Sequence, residues 1–246
     1  MGRNERAECN YGIVLAAGRG RRFGGLKKFV PVCGKPLFFY SLKAFENCPV
    51  VTGFVIVTNR SRVNQVKRWV KRWRFKKVIA VVAGGAERMD SVENGIFALP
   101  ENGYVAIHDG VRPFIKPEML TIGFRMCQKF PAVAFGVPVT DTLKEVVANR
   151  ITQTIDRSRL VAIHTPQFFS LHLIRRAYAQ ARNQKITASD DCELVQRLGI
   201  SPRFLLGSSL NIKVTTRDDL VLCQALLPGT LSICRANLQV CKMNEK

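Results

Sequence analysis

Hydrophobic positions along the chain follow two alternating rhythms. Short, continuously apolar runs rich in Val and Ile recur at "YGIVLAAG", "FVIVTN", "VIAVVAGG", "YVAIHDG" and "AVAFGVPV". A strand with one wet face would alternate polar and apolar residues, so runs of this kind predict strands covered on both faces. Between them, apolar residues return every three or four positions, the period of a helix with one buried stripe. That spacing predicts helices over Pro36–Glu46, Ser61–Trp73, Ser91–Leu99 and Pro117–Lys129. Alternation of strand and helix on this scale predicts an α/β fold, with a doubly wound and mostly parallel sheet.

The rhythm breaks after Val139. "TLKEVVANRITQTID" interleaves polar and apolar residues on both sides of Asn149, which predicts a β-hairpin arm over residues 140–157 projecting from the sheet. Helical spacing resumes at Leu171–Arg182 and Asp190–Arg197, followed by a predicted strand in "NIKVTT" and a helix from Asp218. Thr216 stands three residues before Asp219, the spacing of a helix N-cap and its reciprocal acid. We expect residues 1–227 to form a single domain that includes the arm, with residues 228–246 as an appended tail.

Composition narrows this picture. A chain of 246 residues that is 47% hydrophobic can bury a full core. No apolar run approaches the roughly 20 residues that span a bilayer. "MGRNERAECN" also lacks the apolar middle of a secretory signal, so the expectation is a soluble, cytoplasmic protein without a membrane partner. The eight cysteines form no C-x-x-C pair and no H-E-x-x-H occurs, which favours small buried hydrophobes over zinc or disulfides.

The formal net charge of +20 is unevenly spread. The first 82 residues carry 18 Lys and Arg against Glu5, Glu8 and Glu46, and half of those cations lie within Arg60–Lys77. A nucleic-acid groove is one reading of such a stretch. The spacing of Val63, Val66, Val70 and Trp73 instead predicts an amphipathic surface helix with its cations in water, and no base-stacking motif accompanies it. Nucleic acid is therefore not the expected partner.

In doubly wound sheets, ligands bind beyond the C-terminal ends of the strands. "AAGRGRRFGG", "GGAERMDS" and "HDGVRP" all fall there. The first joins glycines to cations, as a phosphate loop does, because backbone N–H groups reach an anion only where no Cβ intervenes. The dinucleotide fingerprint would need glycine at position 23, which is Phe23, and the P-loop lysine is replaced by Leu26. What remains is A-A-G-x-G-x-R, with Lys27 five residues after Arg22. Gly18 and Gly20 would cradle phosphates that Arg22 and Lys27 neutralise.

L-A-A-G-x-G-x-R…K resembles the opening of nucleotidyltransferases that join a sugar phosphate to a nucleoside triphosphate. The further motifs "GGAERMDSVENGI", "HDGVRPF", "DTLKEV", "TIDRSRL", "TPQFF", "SDDCELV" and "NIKVTTRDDL" follow in order from about Gly12 to Leu222. Together they resemble the 2-C-methyl-D-erythritol 4-phosphate cytidylyltransferases of the non-mevalonate isoprenoid pathway. The resemblance implies a Rossmann-like nucleotidyltransferase fold and transfer of CMP from CTP to the sugar phosphate. The products would be 4-diphosphocytidyl-2-C-methyl-D-erythritol and pyrophosphate, and Mg²⁺ would be the cofactor. It implies CTP against Ala16, Ala17, Gly18, Gly20, Arg22 and Lys27, with Gly85 and Ser91 near the cytosine. Asp109 would sit beside the triphosphate and its Mg²⁺. Arg112, Thr142, Arg157, Thr165, Ser189 and Lys213 would surround the sugar phosphate. Arg22, Lys27, Arg157 and Lys213 would be the catalytic cations. A homodimer is implied as well, with each arm reaching the other subunit's site. Three departures stand out: Ala86 replaces a common acid, Ser189 replaces a threonine while keeping the hydroxyl, and "HDGVRP" has a form also found in ribitol-phosphate cytidylyltransferases. Ribitol 5-phosphate is accordingly the alternative substrate.

The residue types suit this reaction. A phosphomonoester whose second pKa is about 6 is mostly dianionic at neutral pH and attacks without a general base. The obstacle is bringing one anion onto another, which calls for cations. His108 and His164 flank motif residues and are expected to serve as structural hydrogen-bonding groups.

Overall fold

A computed structural model describes residues 9–18 and 27–227. Its strands are β1 (Asn10–Ala16), β2 (Pro31–Val32), β3 (Lys35–Pro36), β4 (Gly53–Thr58), β5 (Val78–Ala83), β6 (Tyr104–Asp109), β7 (Ala132–Pro138), β8 (Leu143–Val147), β9 (Arg150–Ile155), β10 (Val161–Ser170) and β11 (Arg203–Leu206). Its helices are α1 (Phe38–Asn47), α2 (Val63–Trp73), α3 (Arg88–Phe97), α4 (Pro117–Cys127), α5 (Leu171–Asn183) and α6 (Asp191–Gln196), followed by a helix over 217–227. All five continuous apolar runs are strands, and each predicted helix is present within a few residues of its expected bounds.

The main sheet has the order β11-β7-β10-β6-β1-β4-β5. β6, β1, β4 and β5 pair in parallel, as do β11 and β7. Every residue of β1 is buried. Ile13 and Leu15 face one core layer with Val92, Ile96 and Ile174, while Val14 and Ala16 face the other with Phe38, Phe45 and Phe124. This two-sided burial is why the run carries no polar alternation. Among the described residues, no helix is long and apolar enough to cross a membrane.

Two segments differ from expectation. β10 runs antiparallel to both β6 and β7, and no pattern in the sequence predicts it. Its first three residues are exposed and its later ones buried, with Pro166 inside the register break between Ile163 and Gln167. Proline lacks the N–H that a regular ladder needs, so the strand tolerates it only at such an irregularity. "NIKVTT" is not a strand. Val214 N–H donates to the Val111 carbonyl at 2.9 Å, but Asn211 turns its side chain to the Thr165 carbonyl, so loop contacts replace a ladder. The helix signal beyond it holds: Thr216 Oγ1 accepts from Asp219 N–H at 3.1 Å, and Asp219 Oδ2 accepts from Thr216 N–H at 2.8 Å.

The arm forms its own two-stranded sheet from β8 and β9. Ala148 and Asn149 have φ of 48° and 62°, the left-handed pair that a two-residue hairpin turn requires. The basic stretch is helical with Val66 fully buried and Val63, Val70 and Trp73 packed on the core, so Lys67, Arg68, Lys71 and Arg72 face solvent.

Gly123 sets how closely α4 approaches β10. A Cβ there would stand 2.1 Å from Cζ of the fully buried Phe168, whose ring already packs on Phe124 and Phe135. Alanine would gain about 1 kcal/mol of helix propensity, but overpacking a rigid core costs about 1–3 kcal/mol. Gly123→Ala should therefore lower the urea midpoint with an unchanged m-value. A raised midpoint would show that the helix can shift to make room.

Candidate active site

The C-terminal ends of β1, β5 and β6 converge at one edge of the sheet. Ala16 ends β1 fully buried, and Ala17 and Gly18 follow it. A Cβ on Gly84 would lie 2.4 Å from Ala17 Cβ and 2.6 Å from Ser91 Oγ, so only glycine lets these three segments meet. Gly85 N–H donates to Ser91 Oγ at 3.2 Å, and Ser91 Oγ donates to the Glu87 carbonyl at 3.1 Å. Gly85 and Ser91 thus form one rigid corner beside the β1 turn. Gly20 and Arg22 lie outside the described residues. Lys27 begins a short 3₁₀ turn, Lys27–Phe29. That turn is held from below: the Phe29 ring packs 5.4 Å from Phe38 and 5.9 Å from Trp69, with the Arg62 guanidinium 5.2 Å above it. The apolar face of the basic helix therefore anchors the downstream end of the glycine–cation turn.

Asp109 closes β6 with its side chain 10% exposed. Its Oδ2 lies 2.7 Å from Lys213 Nζ and its Oδ1 lies 3.5 Å from Arg88 Nε. Burial alone would raise this carboxyl's pKa, but Arg88 and Lys213 hold it well below the usual carboxylate range, so Asp109 is ionised at neutral pH. Its backbone N–H donates to Thr165 Oγ1 at 3.0 Å. With that oxygen's lone pair engaged, the Thr165 hydroxyl has His108 Nδ1 as its own acceptor at 3.2 Å. Burial pushes His108 down to about 4, and the neutral ring then carries its proton on Nε2, 3.2 Å from the Arg112 carbonyl. His108 is a structural bracket. His164 is also depressed to about 4, first by burial and then by Arg112.

Arg112 is 7% exposed, with Nη1 donating to the Asn211 carbonyl at 2.7 Å. Its Nε is buried without a hydrogen-bond partner among the described residues. Burial lowers its pKa against the opposing pull of Asp109. Ser189 is engaged just ahead of α6, whose N-cap is Asp190: its N–H and Oγ both donate to Glu193 Oε2, at 2.8 and 3.1 Å. Thr142 and Arg157 stand exposed at the two roots of the arm, where Arg157 donates to the Thr140 carbonyl. Within one chain the structure joins neither of them to Asp109, Arg112 or Lys213.

Two residues of this cluster carry no role in the sequence reading. Arg88 forks onto the fully buried Asp191 at 3.1 and 2.7 Å, and the Tyr178 hydroxyl donates to the same carboxylate at 2.6 Å. Both lie inside quoted motifs, "GGAERMDS" and "SDDCELV". Their pairing spans 103 residues and leaves no local pattern.

Comparison with known proteins is consistent with this arrangement. The sequence profile of 2-C-methyl-D-erythritol 4-phosphate cytidylyltransferase matches residues 11–228. A protein of that name from Geobacillus thermodenitrificans is 40% identical over 226 residues, covering 91% of this chain and 99% of its own. Another from Dehalococcoides mccartyi is 36% identical over 217 residues, 87% of this chain and 94% of its own. Among solved structures, the 4-diphosphocytidyl-2C-methyl-D-erythritol synthase of Anaerococcus prevotii superposes with a TM-score of 0.80 at 25% identity, over 90% of this chain and 97% of that one. With the profile and relatives covering most of its length, the chain belongs to the 2-C-methyl-D-erythritol 4-phosphate cytidylyltransferase family.

Proposed function

We propose that the protein transfers CMP from CTP to 2-C-methyl-D-erythritol 4-phosphate, releasing pyrophosphate. The observation that carries this reading is the cluster at the sheet edge. Arg88, Arg112 and Lys213 gather around Asp109, beside the turns at Ala17–Gly18 and Gly84–Gly85. Three cations face two carboxylates there, Asp109 and Asp191, so the cluster keeps a surplus positive charge before Arg22 and Lys27 are counted.

The sugar's phosphate oxygen attacks the α-phosphorus of CTP, a new P–O bond forms, and the bond to the β-phosphate oxygen breaks. No side chain need remove a proton. The backbone at Gly18 and Gly20, with Arg22 and Lys27, would hold the triphosphate and take up the charge of departing pyrophosphate. The corner at Gly85 and Ser91 would receive the cytosine. Arg112, Lys213 and the Thr165 region would orient the sugar phosphate, while Ser189, bound to Glu193, would act only by releasing that carboxylate. Mg²⁺ suits the site, because this ion takes one or two carboxylates and completes its shell with substrate phosphates. Asp109 would hold it. When bound, the ion would screen the triphosphate's negative charge.

We further propose a homodimer whose arms reach across to the opposite site. Val146, Val147 and Ile151 on the arm are 59%, 56% and 68% exposed within one chain. A two-stranded ribbon is marginal in isolation and gains stability by packing on a partner. Arg157 and Thr142 at its roots would then serve the partner's substrate.

Incubating the protein with CTP, Mg²⁺ and a panel of polyol phosphates should release pyrophosphate fastest with 2-C-methyl-D-erythritol 4-phosphate. Preference for ribitol 5-phosphate would overturn the assignment. In the same assay, Lys27→Ala and Lys213→Ala should each lower turnover by about 10²–10³-fold, the scale of losing one preorganised charge-stabilising donor. Near-normal turnover would remove that lysine from the mechanism. For the arm, Lys27→Ala subunits are mixed with Arg157→Ala subunits under exchange. Each mixed dimer then holds one intact site, and random pairing restores roughly a quarter of wild-type activity. No recovery, with exchange verified, would place Arg157 in its own subunit's site.

A further inference from the structure

Asp191 begins α6 as a fully buried carboxylate and is held from three sides. Arg88 donates to it through Nη1 and Nη2, Tyr178 donates to its Oδ1, and its own backbone N–H donates to Gln167 Oε1 at 3.2 Å. A guanidinium gripped at both terminal nitrogens is fixed in its plane as well as its position. Its Nε is thereby held 3.5 Å from Asp109 Oδ1, an ion-pair contact. Asp109 passes that placement on to Lys213, whose side chain is 40% exposed at the mouth of the cluster. The contacts thus form an unbroken line from the α5–α6 layer to the site.

A buried ion pair returns little net stability, because desolvation consumes most of the Coulombic gain. A contact needed only to dock α3 against α6 could be apolar and would not extend to Asp109. We propose, on the basis of the transfer reaction assigned above, that Arg88 is a positioning residue: anchored by Asp191, it fixes Asp109 and thereby the Lys213 ammonium where the two phosphates meet.

The test uses the double variant Arg88→Gln/Asp191→Asn, which removes the pair without leaving an unpaired buried charge. With CTP and the polyol phosphate that the wild type accepts, kcat should fall by about 10- to 100-fold, the scale of a small misplacement of a reacting group. KM for CTP should change little, since CTP contacts are retained. Added to Asp109→Ala, the same double substitution should cost no further activity, because Arg88 acts through Asp109. Independently of turnover, reductive methylation of Lys213, followed by mass spectrometry, should accelerate severalfold over that of Lys144 on the arm. Unchanged kcat with a lowered melting temperature would reduce the pair to a structural pin and overturn the proposal. Unaltered Lys213 methylation, or effects that multiply in the Asp109→Ala background, would overturn it too. If the double variant does not fold, Tyr178→Phe removes one donor from Asp191, and the same readouts should move in the same direction by a smaller factor. A wild type that releases no pyrophosphate with any polyol phosphate overturns the functional reading alone, and Lys213 methylation then decides the positioning.

Discussion

One carboxylate at the end of the central strand organises the functional edge of this molecule. Removing a carboxylate from water costs several kcal/mol, whereas one unit charge at 4 Å returns about 4 kcal/mol at an effective dielectric of about 20. A single partner would barely offset the burial of Asp109. Arg88 and Lys213 approach it from opposite oxygens, and Thr165 takes its backbone N–H. Those partners come from the start of α3, from the segment after β11 and from β10. Charge neutralisation therefore gathers distant parts of the chain at one edge, and leaves a positive surplus suited to phosphates.

The antiparallel strand β10 is what makes this gathering possible. It lies between β6 and β7, pairs Gln167 with Ile107 inside β6 and places Thr165 beside Asp109 at that strand's end. Gln167 accepts from Asp191 N–H at 3.2 Å and donates to Asp190 Oδ2 at 2.7 Å, so the same strand fixes the start of α6. The Thr165 carbonyl accepts from Asn211 Nδ2 at 2.9 Å, which places the segment bearing Lys213. The reversed strand results from the arm, because a chain that leaves β7 into a hairpin re-enters beside it running the other way.

The basic character of the chain divides into two uses. In α2 the cations are the wet face of a helix whose Val66, Trp69 and Trp73 pack on the core and brace Phe29, just after Lys27. Arg112 is buried and Arg88 half-buried, and each is bound to specific oxygens. Similar residues thus form a wet helix face in one place and buried ion pairs and hydrogen bonds in another.

The five apolar strands, the helices between them, the arm with its turn around Asn149 and the cap at Thr216 were all legible in the sequence, although β5, expected to be covered on both faces, is the edge strand and leaves Ile79 exposed. Each rests on interactions between residues close in the chain, or on burial that repeats with a fixed period. The sequence also singled out Gly18, Gly85 and Asp109 by residue type at short spacing, and the structure sets all three at the C-terminal ends of strands along one edge of the sheet. Tertiary structure alone decided the rest. β10 has no single period, because half of it is wet and Pro166 interrupts its ladder. The segment at Lys213 alternates like a strand, yet spends its polar groups on loop contacts. Arg88 with Asp191 could not be read locally, because a buried charge declares its partner only when folding removes the water between residues 103 positions apart.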